Sequence, residues 1–214
     1  MFYPDKQLTI SVREFFATGT ETTSTTLRWA IMFLIHYPEW QKKLRENNDV
    51  EIGQNEPKME HKVRLPLVEA FILEVQRQGN IVPFAFPHAP NEDFNFEGYL
   101  FPKGTFMFIA LDSVTTDPKI FPEPSEFKPE RFLDYSGRFE IIEGFSNWFI
   151  FSGRRMCLRS SLAKMELFLF LTRLLQKFEI KPGNPMNLPS LEGTLGITNI
   201  PESFNIVLVK RSRL

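Results

Sequence analysis

Cysteine is almost absent from this chain of 214 residues, in which Cys157 is the only one. A single cysteine excludes an internal disulfide, which is typical of a reducing compartment, and it leaves the thiol available for a metal or for chemistry. Long apolar runs are also absent, because no stretch approaches the roughly 20 apolar residues needed to span a bilayer. The first residues, MFYPDKQLTI, lack the charged start and apolar stretch of a signal peptide. The sequence therefore predicts neither secretion nor an anchor within this chain.

An excess of either charge is missing as well, with 25 Lys and Arg against 26 Asp and Glu. Balanced charge does not favour nucleic acid or a strongly charged partner, and we expect no nucleic-acid binding. Polar aromatic residues are scarce, with 4 Tyr and 3 Trp against 23 Phe. Phenylalanine has no polar atom to satisfy and belongs in dry surroundings, so the composition indicates a globular protein with an apolar cavity.

Apolar residues recur at helical spacing in four segments. The spacing predicts a long helix over 8–35, a second over 39–45, a third over 66–78 that starts at a proline, and a fourth over 162–177. The polar stretch NNDVEIGQNEPK, between the second and third helices, is predicted to be a loop.

The hydrophobic period changes between the third and fourth helices. Residues 81–111 predict short strands and hairpins in a mainly antiparallel sheet, and the proline-rich segment 112–148 predicts an irregular connection. The tail alternates at Phe204, Ile206 and Leu208, which predicts a terminal hairpin. The expected fold class is mainly α with small antiparallel β-sheets (α+β), in a single domain over 1–214.

Cys157 lies in the segment FIFSGRRMCLRSSLAK, just ahead of the fourth helix. Backbone N–H groups at a helix start and nearby arginines both favour a thiolate over a thiol. The segment therefore suits an anion. The alternative is that Cys157 is a small buried apolar residue, as most free cysteines are.

The long helix contains ATGTETTSTT, which has a glycine, an acid and several hydroxyls where leucine or alanine would favour a helix more. Threonine hydroxyls can bond to carbonyls one turn earlier, and Gly19 allows a flat ligand to approach the backbone. Glu21 and Thr22 together offer the acid and hydroxyl of a proton relay. A solvated, threonine-rich helix face is the alternative.

The third helix contains EVQR, in which Glu74 and Arg77 are three residues apart and share a face. Such a pair is an ordinary surface salt bridge when exposed. Apolar neighbours favour partial burial instead, where an ion pair needs further hydrogen bonds. Arg131 of PERF is the candidate third partner, or else a surface charge.

These four segments, in this order and separation, resemble the cytochrome P-450 superfamily of haem-thiolate monooxygenases, particularly its animal microsomal members. ATGTETTSTTLRWA is similar to the family's oxygen-binding helix, EVQR to its Glu-x-x-Arg motif, PERF to its meander motif and FSGRRMCL to its cysteine loop. Four motifs in register are far more specific than one. The resemblance covers nearly the entire chain and implies a cytochrome P-450 fold truncated to its carboxy-terminal half.

Carried over by position, the resemblance implies a role for each motif residue. Cys157 would be the axial thiolate and the metal ligand on haem iron, and Glu21 and Thr22 would bind and protonate oxygen on the opposite face. Arg155 would hold a haem propionate, and His88 would hold another or be a satisfied turn histidine. The remaining assignments are haem contacts in the cysteine loop by Phe151 and Gly153, and a buried structural triad of Glu74, Arg77 and Arg131.

The implied reaction inserts one oxygen atom of dioxygen into an apolar small-molecule substrate. Haem b would carry the chemistry, with electrons from NADPH through a flavoprotein reductase. Arg154, Arg159 and Lys164 would dock an acidic reductase, or form a solvated basic face. The expected location is the cytoplasmic face of the endoplasmic reticulum membrane, with membrane association only through an amino-terminal part absent from this chain.

The sequence departs from the family pattern at the haem pocket. The loop from Phe151 to Cys157 is one residue short, Arg159 stands where glycine is expected, and Thr18 stands where alanine or glycine is usual. These changes bear on haem affinity and on thiolate geometry. Together with the absent first half they support an alternative, a catalytically incompetent truncated fragment or decayed copy with at most weak haem or partner binding. A soluble haem sensor would keep Cys157 without needing Glu21 and Thr22.

Overall fold

Helices predominate in the computed structural model, which describes residues 5–142 and 156–212. The α-helices are α1 (Asp5–His36), α2 (Pro38–Glu51), α3 (Pro66–Gly79), α4 (Asp112–Thr115) and α5 (Ser160–Lys177), with 3-10 helices at Met59–Arg64 and Pro129–Phe132. The strands are β1 (Phe94–Phe96), β2 (Tyr99–Phe101), β3 (Phe178–Pro182), β4 (Gly193–Leu195), β5 (Asn199–Pro201) and β6 (Ile206–Lys210). They pair antiparallel as β1 with β2, β3 with β6, and β4 with β5. The predicted fold class, mainly α with small antiparallel sheets, is confirmed.

Helix α2 is longer than its apolar spacing predicts, since it runs to Glu51 through residues predicted to be a loop. The polar side chains of this extension have buried partners. Asn48 is fully buried and donates to the Thr172 carbonyl at 3.3 Å, and Asp49 pairs with Arg211 near the chain's end at 2.5 Å. Contacts with distant segments therefore stabilise a turn of helix that local composition disfavours.

The tail does not form a simple terminal hairpin, which corrects the prediction. Strand β6 pairs with β3, opposing Leu208 to Ile180, and the short β4–β5 hairpin lies between them in the chain. Gln41 of α2 holds β3 in place, because its side chain accepts from the Ile180 N–H at 2.7 Å and donates to the Ile180 carbonyl at 2.9 Å. The strand that β6 pairs with is therefore β3, which is distant from it in the sequence.

The main core lies among the second half of α1, α2, α3, α5 and β3. Its fully buried side chains include Trp29, Leu44, Phe71 and Phe168. A smaller cluster of Ala70, Phe121 and Phe132 packs against α3 as well, so α3 contributes to both. These contacts pack α3 and α5 against α1 and against each other.

Several large apolar side chains remain exposed in the first half of α1 and around the β1–β2 region. Phe16 is 72% exposed and Phe106 is 77% exposed, far from the burial expected of phenylalanine. The first half of α1 and the β1–β2 region therefore present exposed apolar surface. In the described part of the chain, no helix combines the length and apolarity needed to cross a membrane.

Helices α1 and α3 touch where Gly79 faces Trp29, and this contact allows a test of the packing. A methyl group on Gly79 would lie 2.9 Å from the Trp29 ring, which is 1% exposed and held by a 3.0 Å bond to the Asn199 carbonyl. We expect Gly79→Ala to lower the free energy of unfolding by about 1–3 kcal/mol through overpacking. Urea unfolding followed by circular dichroism measures this.

Gly196→Ala is the matched control for this substitution. Its added methyl group would meet only the Thr198 carbonyl, at an ordinary 3.5 Å. The control is expected to change the free energy of unfolding by no more than about 0.5 kcal/mol. Equal unfolding midpoints for the two variants would contradict the proposed close packing.

Candidate functional site

A cleft of about 140 Å³ lies between the middle of α1 and the start of α5. Thr22 of α1, Gln76 of α3, and Cys157 and Leu167 from the region of α5 line it, together with Phe86. The surface that lines the cleft is mainly apolar. The polar groups of the cleft are therefore few and are surrounded by apolar surface. The fold thus brings Cys157 and Thr22, which are far apart in the sequence, to one cleft.

Cys157 is exposed, which rules out the alternative of a small buried apolar residue. It precedes α5 by three residues, and its carbonyl accepts from the Ser160 N–H at 3.2 Å. Lys164, one turn into α5, lines the same cleft. Lys164 and the start of α5 therefore border the same cleft as the thiol.

Four loop residues named from the sequence lie outside the described residues: Phe151, Gly153, Arg154 and Arg155. Their predicted contacts with haem or a reductase stay predictions. Within residues 5–142 and 156–212, no three side chains of His, Cys, Asp or Glu group together to hold a metal ion.

The two relay candidates face different surroundings. Thr22 lines the cleft, and its hydroxyl donates to the Thr18 carbonyl at 3.0 Å. Glu21 lies on the exposed side of α1, where its carboxylate accepts from the Thr25 hydroxyl at 3.3 Å. Thr26 also bonds back one turn, to the Thr22 carbonyl at 2.8 Å, as the threonine-rich sequence predicts. In this conformation Thr22 is the member of the pair placed to act in the cleft.

His88 makes local contacts in this structure. Its ring Nδ1 lies 2.6 Å from the Phe86 carbonyl, and its backbone exchanges hydrogen bonds of 2.8 and 3.0 Å with Met107. His88 therefore forms an antiparallel bridge with Met107, and Phe86, two residues earlier, lines the cleft. A propionate contact by His88 stays a prediction.

Glu74 and Arg77 form a forked, buried ion pair. Both Glu74 oxygens accept from Arg77 at 2.8 Å, and the two side chains are 0% and 1% exposed. Arg131 approaches the same carboxylate, with its Nε 3.5 Å from Glu74 Oε1. The structure brings the three predicted residues together, and the alternative of an exposed surface pair is wrong for Glu74 and Arg77.

The remaining donors of this group bind backbone between α4 and the second 3-10 helix. Arg77 donates to the carbonyls of Thr115, Pro124 and Glu126 at 2.9, 2.8 and 3.1 Å. The backbone N–H of Lys128 donates to Glu74 at 2.8 Å. The buried charges are thus hydrogen-bonded extensively, as burial requires. They attach an irregular, proline-rich segment to α3, whose Gln76 lines the cleft.

Surface charges on this segment also interact. A hydrogen bond from Lys128 lowers the pKa of the exposed Glu123 carboxyl, and the bonds to Glu123 and Glu126 raise the pKa of Lys128. These groups are solvated, so their pairing contributes little to stability. They are remote from the chemistry expected in the cleft.

Arg159 and Glu166 form a link to α1 that sequence reasoning missed. Glu166 of α5 lies 3.5 Å from Arg159 and accepts from the Thr23 hydroxyl at 3.3 Å. Because the Arg159 side chain is only 16% exposed and turned toward α1, its suggested part in a basic docking face is wrong here. Glu166 is the one charged residue in the apolar run MELFLFL, and this position could have indicated from the sequence that it has a partner.

Comparison with known sequences shows that this chain belongs to the cytochrome P450 family. A sequence model described as Cytochrome P450 matches residues 3–208. The chain is 37% identical over 212 residues to cytochrome P450 2E1 of Oryctolagus cuniculus, which covers 98% of this chain. It is 41% identical over 208 residues to cytochrome P450 2C23 of Rattus norvegicus, which covers 96%. These matches span only 43% and 42% of the relatives' own lengths.

Family membership implies a haem cofactor. The donor set of the cleft fits one, since the exposed Cys157 and the hydroxyl-bearing Thr22 of α1 both line it, and its surface is mainly apolar. Thiolate sulfur is an established axial ligand of haem iron. The cleft volume of about 140 Å³ is nevertheless below the roughly 300–1,000 Å³ of typical small-molecule sites, so a side chain must move to admit a ring.

Proposed function

We propose that this chain is the carboxy-terminal half of a haem-dependent monooxygenase, one partial domain over 1–214, with Cys157 as the axial thiolate. The observation that carries the proposal is the shared cleft, which is lined both by Cys157, just ahead of α5, and by Thr22 of α1. Haem would supply the activation of dioxygen, while the protein supplies the ligand, the cavity and the proton donors. The same observation favours an enzyme over an incompetent fragment or a haem sensor, neither of which needs Thr22 in that position.

The residues of the chain have distinct proposed tasks. The Thr22 hydroxyl would hold and pass a proton at its Oγ1, since it has a bonded carbonyl behind it and the cleft in front. Glu21, on the exposed side of the same helix turn, would deliver protons to that hydroxyl from solvent. Arg155, His88, Phe151 and Gly153 would hold the haem edge.

Glu74, Arg77 and Arg131 are proposed to act structurally, because their hydrogen bonds go to one another and to backbone. They keep the segment ahead of the cysteine loop against α3. The substrate is proposed to be an apolar small molecule, and the electron source NADPH through a flavoprotein reductase. The endoplasmic reticulum membrane, at its cytoplasmic face, is the proposed location.

The absorption of the reduced carbon monoxide complex tests the proposal. The full chain is expressed, given ferric haem, reduced and exposed to carbon monoxide. We expect the red-shifted band that thiolate ligation produces. An unshifted carbon monoxide spectrum in protein that carries haem and is folded by circular dichroism would refute thiolate ligation, and with it the proposed activity.

A further inference from the structure

Arg159 reaches across from the start of α5 to the backbone of α1. Its Nη1 donates to the Phe15 carbonyl, its guanidinium carbon lies 5.7 Å from the centre of the Phe15 ring, and its Nη2 lies 3.5 Å from Glu166. Gly19 makes this approach possible. A methyl group on Gly19 would lie 1.2 Å from Arg159 Nη1, so the guanidinium fills the space that any side chain at position 19 would take.

The surface that Arg159 covers continues the candidate cleft. Gly19 and Thr22 are three residues apart and therefore share one face of α1. Thr22 lines the cleft together with Cys157, whereas Gly19, one turn earlier, lies against Arg159. A porphyrin is wider than one helical turn of about 5.4 Å, so a ring that lies over Thr22 and extends toward the start of α1 would cover the level of Gly19. Arg159 would then occupy part of the surface that a flat ligand of Cys157 covers.

We propose that Arg159 is a displaceable arm that covers Gly19 and competes with haem for the α1 surface beside Thr22. This inference rests on the proposed function, because it takes haem as the ligand of Cys157. Haem binding would require the guanidinium to leave Phe15 and Gly19 while the rest of α5 stays in place. The arm would weaken haem binding and stabilise the empty site.

The contacts of Arg159 are compatible with displacement. Among the described residues, its Nε is a buried donor without a hydrogen-bond partner, so part of the guanidinium is desolvated without compensation. Its ion pair with Glu166 is long at 3.5 Å, and Glu166 keeps a second partner in Thr23. A long, unbranched side chain can also change rotamer without moving the backbone.

Titration of ferric haem into the full chain tests the arm. Absorbance gives the haem dissociation constant of the parent protein, of Arg159→Ala and of a control, Arg173→Ala. Arg173 is on α5 too, and its ion pair with Glu56 at 3.5 Å involves no residue of α1. Arg173→Ala therefore removes the same charge as Arg159→Ala without removing a contact with α1. We expect Arg159→Ala to bind haem more tightly, on the order of tenfold, and Arg173→Ala to bind as the parent does.

Thermal unfolding without haem supplies a second, independent measurement. Arg159→Ala is expected to unfold about 2–4 °C below the parent in the haem-free state, because the bridge between α5 and α1 is lost. With saturating haem the order should reverse. If Arg159→Ala binds haem no more tightly than the parent does, the proposed role of Arg159 is wrong, and the proposed function is unaffected. Failure of parent and variants alike to bind haem would overturn both.

Discussion

Arg77→Met is expected to lower the free energy of unfolding by about 3–5 kcal/mol, the largest stability effect that we predict for this chain. The substitution keeps the apolar volume of the stem but leaves the Glu74 carboxylate charged, buried and without its forked partner. It also removes the donor to the carbonyls of Thr115 and Pro124, which are held at 2.9 and 2.8 Å. Since domains are typically stable by only about 5–15 kcal/mol, a large fraction of the chain should be unfolded.

Urea unfolding followed by circular dichroism measures this loss. Arg138→Met is the control, because Arg138 pairs with Asp134 at 2.9 Å but its side chain is 77% exposed. Asp134 is 12% exposed, but the Arg138 guanidinium is solvated, so the pair should contribute about 1 kcal/mol and the control should unfold much closer to the parent than Arg77→Met. Similar losses for the two variants would show that burial does not set the value of the Glu74–Arg77 pair.

Cys157→Ser is expected to abolish the red-shifted carbon monoxide band of the haem-loaded chain. A serine hydroxyl does not ionise near neutral pH and is a far weaker ligand than a thiolate. Because Cys157 is exposed, the change from sulfur to oxygen should alter the free energy of unfolding by no more than about 0.5 kcal/mol. Loss of the band would then report the ligand and not the fold.

Ser160→Ala is the matched control for the cysteine variant. Ser160 lines the same cleft and lies three residues away at the start of α5, so the control removes one polar atom without touching the proposed ligand. It should keep the band. Persistence of the band in Cys157→Ser would mean that another side chain ligates the iron, and the proposed role of Cys157 would be wrong.

Local patterns in the sequence predicted the helices well and the polar extension of α2 poorly. The helix over 66–78 needed only a starting proline and an apolar stripe, and the structure has it at Pro66–Gly79. The end of α2 was missed because Asn48 and Asp49 find partners in α5 and near Arg211, far along the chain. The simple terminal hairpin was wrong for the same reason, since β6 pairs with β3, a strand remote in sequence that Gln41 of α2 also contacts.

The candidate site divides in a similar way. Motif spacing was enough to name Cys157, Thr22 and the Glu74–Arg77 pair, since each stands in a segment whose order along the chain is distinctive. The orientation of Glu21 toward Thr25 was not predictable, because neighbours on a helix point in directions about 100° apart and packing decides which one faces the cleft. The position of Arg159 over Gly19 also required two helices to be placed against each other.

The sequence by itself determined the family, the helical class and which side chains are available for chemistry, because composition and spacing are properties of the chain before it folds. Only the tertiary structure decided that Cys157 and Thr22 share a cleft, that Glu74 and Arg77 are buried, and that Arg159 covers Gly19. Those facts depend on contacts between segments far apart in the chain. Burial and approach are set by how the helices pack, and no local pattern records that arrangement.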